Sequence, residues 1–295
     1  MDPEFEIVGI RPMPQTGVRE SKKRGRRGPA IATATLALIV LGCLACDLIM
    51  TKDPAYLNLY GYSLPPCREF LFGTDTMGRD IFSMIWYGGR TSLLIGLTAT
   101  AFSTFLAVMI GAVSGCGPEW LDLLLMRMTD ILLSIPWLLA VILAQAVLGE
   151  ANVLSLSFVL GLTSWMSIAK VVRSEVRRIR HSEYVIASRC MGGSFFHVLW
   201  KHLTPNFLSS IMFMVVMNVR NAIVAESTLS FMGVGLPVEE ISWGSMLSLS
   251  EKAFLTNAWW IILIPGFFLL VTLFCITSLG NCLRETMSRG ENILK

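Results

Sequence analysis

Few residues in this chain have the type and spacing to do chemistry. The 3 histidines, His181, His197 and His202, stand in one polar stretch, none of them inside an apolar run. Haem ligation between helices needs histidines within such runs, so a haem- or quinone-linked subunit is disfavoured. Of the 7 cysteines only Cys43 and Cys46 form a Cys-x-x-Cys. That pair sits inside the first apolar run, where small packing residues are a simpler reading than a metal or redox site. No Gly-x-x-x-x-Gly-Lys-Ser/Thr phosphate loop occurs, so any ATP and Mg would have to be bound by other chains. No catalytic residue, metal or cofactor is therefore expected here. The charges are more informative. Arg220 is the only charge well inside an apolar run. A cation at that depth is costly and faces a cavity or a partner. Two readings stay open: it lines a path and meets an anionic group, or it forms a structural pair with Glu226 or with another chain. Asp75, Arg79 and Asp80 share a Gly-containing segment. They read as a salt-bridged turn or, with Trp243, as a gate or docking contact. Arg127 and Asp130 are spaced for a helical ion pair beside Asp122.

The elements that must position these groups are long and apolar. The chain of 295 residues is 54% hydrophobic and 15% charged, with mean hydropathy +0.62. A soluble domain carries about 25% charged residues, and here the deficit falls in charge-free runs. A net charge of +3, scattered along the chain, excludes a nucleic-acid binder. Six runs are long enough to cross a bilayer: Pro29–Met50, Ser92–Gly115, Ile131–Gly149, Ala151–Ala169, Leu203–Ala225 and Ala253–Leu283. They are continuously apolar rather than alternating, which predicts helices and not barrel strands. The expected fold is an all-α membrane protein of about six transmembrane helices.

Basic residues orient it. Arg11, Arg19, Lys22, Lys23, Arg24, Arg26 and Arg27 precede the first run; Lys170, Arg173, Arg177, Arg178, Arg180, Arg189 and Lys201 separate the fourth from the fifth. The opposite loops carry only Lys52, Arg68, Arg79, Arg90 and Lys252. Both termini are thus expected on the cytoplasmic side. This divides the chain into a basic N-terminus (1–28), a first span (29–50), an external segment (51–91), a five-helix core (92–283) and a cytoplasmic tail (284–295). Within the core, residues 170–205 form a cytoplasmic loop.

That loop has a mechanical pattern. Glu183-Tyr184-Val185-Ile186-Ala187-Ser188 opens a short helix that Gly192 can close in a left-handed conformation. Ser194 suits an N-cap, and Pro205 marks entry into the fifth span. A helix–Gly–helix elbow at a membrane face can be gripped and can pass on a rigid-body motion. A surface helix that only snorkels its basic side chains into headgroups is the competing reading.

The same stretch resembles the coupling loop of ATP-binding cassette importer permeases, whose pattern is Glu-Ala-Ala, three residues, Gly, nine residues, Ile-x-Leu-Pro. Ala187, Gly192 and Pro205 match at the right spacing. Ile186, Ser188, His202 and Thr204 replace the Glu, the second Ala, the Ile and the Leu. Phe72-Gly73-Thr74-Asp75-Thr76-Met77-Gly78-Arg79-Asp80, then Tyr87-Gly88-Gly89-Arg90-Thr91-Ser92-Leu93, is similar to a signature of the second ("C") permease of dipeptide, oligopeptide and nickel importers. Leu229-Ser230-Phe231-Met232-Gly233-Val234-Gly235-Leu236-Pro237 and Ser242-Trp243-Gly244 resemble that family's later external segment, and Asn281 stands where the family often has Asp.

The resemblance implies a type I importer permease fold in a bacterial inner membrane. It implies a second, related permease, two cytoplasmic ATPase subunits on the coupling loops, and an extracytoplasmic binding protein that delivers peptides, nickel or metal chelates. A secondary transporter driven by an ion gradient is the rival class. Such proteins place acids or broken helices at mid-membrane, and no Asp or Glu is expected well inside a span here.

Overall fold

The computed structural model describes residues 27–293, apart from 59, 193, 250–252 and 254–256. Most of the basic N-terminus, together with Lys252 and Lys295, lies outside the described residues. Among those described, the long elements are helices, and the β feature is an isolated antiparallel bridge between Thr74 and Asp80.

α1 (Arg27–Leu44) leads through Ala45 into the short α2 (Cys46–Ile49). An irregular segment follows. It ends at Asp80, whose carboxylate accepts the Ser83 N–H and caps α3 (Ile81–Cys116). At 36 residues α3 is roughly 54 Å long, more than a bilayer core requires. It is the central post of the molecule. Small residues at Ser103, Ala107, Gly111 and Gly115 recur every fourth position, so one face of α3 carries almost no side-chain bulk. Against that face lie α6 (Val153–Ser164) and α7 (Met166–Ile179), running parallel to α3 and bent by 46° where they meet. A Cβ on Gly111 would fall 2.6 Å from the Ala169 carbonyl oxygen, so the approach depends on glycine there.

α10 (Thr204–Phe231) runs antiparallel to α3: Asn218 donates to Ser103 at 2.6 Å, and Ser92 to Glu226 at 3.2 Å. The last long helix, here α12 (Trp260–Ile293), packs on α10 and α1. The alternating directions return the end of α12 to the same face as the start of α1 and the 180–204 elbow. This order is compatible with six passes.

Three expectations need correction. The run Ile131–Gly149 is not one straight helix. α4 (Glu119–Ser134) and α5 (Trp137–Leu148) meet at 97°. Pro136 has no N–H and forces Ile135 out of the helical region, to ψ 130°. α5, with 12 residues, is only about 18 Å long. The final helix starts at Trp260 rather than Ala253, after a turn in which Asn257 is left-handed at φ 55°. Finally, α10 continues to Phe231, so Glu226 belongs to a helix and not to the loop after it.

Buried apolar residues form three clusters along the axis. One joins α3, α7 and the elbow through Val172, Val176, Val185, Leu199, Leu203 and Phe207. One sits midway, with Ile95, Leu156, Leu160 and Ala222. The third closes the opposite end around Ile81, Met84, Trp243 and Trp260.

Candidate functional site

The site has three parts strung along α10. At its start is the elbow. α8 (Glu183–Cys190) is followed by Gly192 at φ 85°, the left-handed closure expected of it. Ser194 then accepts the His197 N–H at 3.3 Å and opens α9 (Phe195–Val198). A π-helical turn, Leu199–Leu203, feeds α10, with Pro205 in its first turn. α8 is pinned from beneath by Val185 and Ser188, both buried. Glu183, Tyr184, Ile186 and Ala187 point outward, and Met191 is 82% exposed. Residues 170–179 are not loop: α7 carries Lys170 through Ile179 straight into the elbow.

The root of the elbow is clamped by charges that sequence spacing had paired differently. Asp122, in the first turn of α4, takes Arg173 from α7 (Nη2–Oδ2 2.6 Å) and Arg177 (Nη2–Oδ2 2.7 Å), with a further close hydrogen bond from Ser114. The hydrogen bonds from Arg173 hold the Asp122 carboxyl down at about 2, against an ordinary 3.8. Asp130 pairs with Lys170 at 2.6 Å rather than with Arg127, which replaces the expected helical pair. Arg180 closes the set by donating to the Gly115 carbonyl at 2.9 Å. Sequence reasoning missed this cluster. Its signal was the four-residue step from Arg173 to Arg177, which puts both guanidinium groups on one face of α7.

Midway along α10 a cavity of about 1200 Å³ opens between α5, α6, α7, α10 and α12. Arg220 lies in its wall. Its Nη2 donates to Asn221 Oδ1 at 2.9 Å, while its buried Nε has no partner among the described residues. A pair with Glu226, one partner that the structural reading allowed, does not form, because the Glu226 carboxylate is taken up by serines. Its carboxylate accepts from Ser92 (3.2 Å), Ser227 (3.3 Å), Ser230 (3.1 Å) and Ser242 (2.6 Å), with no solvent exposure. Glu226 thus lies buried near the end of α10, five residues before Phe231.

The third part is the closed end opposite the elbow. Asp75 accepts Arg79 Nε at 2.7 Å and the backbone N–H groups of Met77 and Arg79 at 2.8 Å each, so the turn is fixed by one carboxylate. Arg79 also donates to the Val238 carbonyl, tying this turn to the segment after α10. Trp243 opens α11 (Trp243–Ser248) and donates from its ring nitrogen to the Ile85 carbonyl at 3.0 Å. Asp75, Arg79, Asp80 and Trp243 are all buried, so they pack inside this end and are not presented at its surface in this conformation.

Helical throughout its long described elements, with a small-residue seam, a polar-flecked cavity between its helices and an elbow at one end, the molecule has the build of a membrane permease subunit. The chain belongs to the family described as binding-protein-dependent transport system inner membrane component, matched over residues 103–289. It is 33% identical over 264 residues to the oligopeptide transport system permease protein OppC of Bacillus subtilis, covering 90% of this chain and 86% of that one. It is 35% identical over 230 residues to the dipeptide transport system permease protein DppC of the same organism, covering 78% and 72%. This membership does not favour the ion-coupled class.

Proposed function

We propose that the chain is one of two related permeases of an ATP-driven peptide importer in a bacterial inner membrane, with both termini cytoplasmic. Two ATPase subunits, which bind ATP and Mg, grip the elbow, and a binding protein delivers cargo to the opposite end. Peptides are favoured over nickel or metal chelates because OppC and DppC are named for oligopeptides and dipeptides.

The observation that carries this reading is the elbow. Its inner face is welded to the core through Val185 and Ser188, and its outer face presents apolar groups, with Met191 and Trp200 82% and 55% exposed. A partner can push on such a lever, and the push passes into α10 through the turn at 199–203.

Gly192 supplies the test. It has open space for a Cβ, but its φ of 85° is closed to proline, whose ring holds φ near about −65°. In the assembled complex Gly192→Pro should abolish ATPase recruitment or uncouple hydrolysis from uptake while the chain still inserts. Recruitment and uptake at the wild-type level would refute the lever. Uptake by the chain without ATPases, driven by an ion gradient, would restore the rival class.

A further inference from the structure

We infer that Arg220 reads the free carboxylate of the peptide cargo, an inference that rests on the peptide-permease reading above. The cavity wall contains no Asp or Glu among its described residues, and Arg220 is its sole charge. The rest of the lining is of two kinds. Trp137, Phe213 and Phe274 are broad and apolar, while Thr163, Ser167 and Asn218 offer neutral hydrogen-bonding groups. Such a wall accepts varied side chains without preferring any. A single fixed cation in it can discriminate only on a feature every cargo shares. Peptides of any sequence share one anion, the carboxylate at the C-terminus.

The geometry fits a reader held ready. Asn221 anchors one Nη at 2.9 Å and so fixes the guanidinium in the cavity wall. A guanidinium has five N–H donors in a flat fork and meets a carboxylate with two of them at once. About 1200 Å³ leaves room for a short peptide beside it. An acid on the second permease would satisfy Arg220 equally well as chemistry. That arrangement would make the residue a structural partner, and its loss would weaken uptake of every cargo alike.

The experiment separates the two. The complete importer, with its second permease, ATPases and binding protein, is reconstituted in proteoliposomes. It is given a mixed library of tri- and tetrapeptides and the same library amidated at the C-terminus. ATP-driven uptake is read by mass spectrometry as the ratio of free to amidated peptide. Arg220→Gln should lower that ratio by about tenfold or more, the effect of losing a charge-assisted hydrogen bond. Arg220→Lys should restore part of it. A ratio unchanged from wild type, with or without a fall in total uptake, overturns the inference. Absence of ATP-driven uptake in the wild-type complex would instead defeat the permease reading on which it rests.

Discussion

Two buried carboxylates set the behaviour of single residues here, and they do so differently. Glu226 is held by four serine hydroxyls, three of which work twice. Ser92 donates to it and accepts the Trp243 N–H at 3.1 Å; Ser242 donates to it and accepts the Ser245 N–H at 2.9 Å; Ser230 donates to it and accepts the Leu236 N–H at 3.1 Å. One carboxylate thus staples α3, α10 and the 236–245 segment. Glu226→Ala should cost about 3 kcal/mol, through orphaned hydroxyls and the cavity left behind. Thermal unfolding of the detergent-purified complex measures this, and a shift no larger than that of an exposed control such as Ser134→Ala would argue against the staple. Asp122 is the other case, and its pKa gives the sign. Its carboxyl is lowered to about 2 from 3.8, so the clamp on Arg173 and Arg177 is fully present above about 4 and is lost only as pH falls toward 2. Wild-type stability should therefore drop between about pH 4 and 2 by more than that of Asp122→Asn. Equal slopes in pH-resolved unfolding would show that the carboxylate contributes nothing to the clamp.

At the scale of elements, the seam on α3 is the feature most exposed to mutation. Gly111→Val would drive its side chain into the Ala169 carbonyl oxygen and Val172, backbone and branched atoms that cannot swing aside. Overpacking of this kind costs about 1–3 kcal/mol, and separation of α3 from α7 should appear as reduced yield of assembled complex. Wild-type yield and melting temperature would mean that the seam yields more easily than its geometry suggests. The helices themselves were legible in the sequence, because charge-free runs in a membrane protein have few alternatives. The elbow was legible too, since Gly192, Ser194 and Pro205 each have one strong local preference. The bend at Ile135 was not, although Pro136 was in view: a proline near the start of a run is compatible both with a first turn and with a break, and packing decides between them. The ion pairs failed for a related reason. Local spacing favoured Arg127 with Asp130, but α7 brings Lys170 to Asp130 and Arg173 to Asp122 from far along the chain. Burial of Trp243 likewise depends on α3 and α11 meeting, which no window of sequence contains.

For the whole molecule the decisive object is α10, because it touches all three parts of the site. It leaves the elbow at Thr204, carries Arg220 in the cavity wall and reaches the Glu226 staple near its far end, 28 residues in one rod of roughly 42 Å. A push at the elbow can move the closed end only if that rod transmits it without bending. Stiffness is therefore the property on which the machine depends, and it can be removed without touching either end. Val216→Pro deletes one N–H inside α10 and sets the ring against the carbonyl of Met212, a change that kinks a helix at a cost of about 3 kcal/mol. The elbow below it keeps its own supports in Val185, Leu199 and Leu203, and the staple above keeps its serines. The variant should then still recruit the ATPases, and its ATP hydrolysis should no longer rise when loaded binding protein is added. Val216→Ala, which leaves the hydrogen bond in place, should keep that response. If the proline variant assembles and its hydrolysis still answers to loaded binding protein, the signal travels between the two ends by α7 and α3 instead, along the glycine seam.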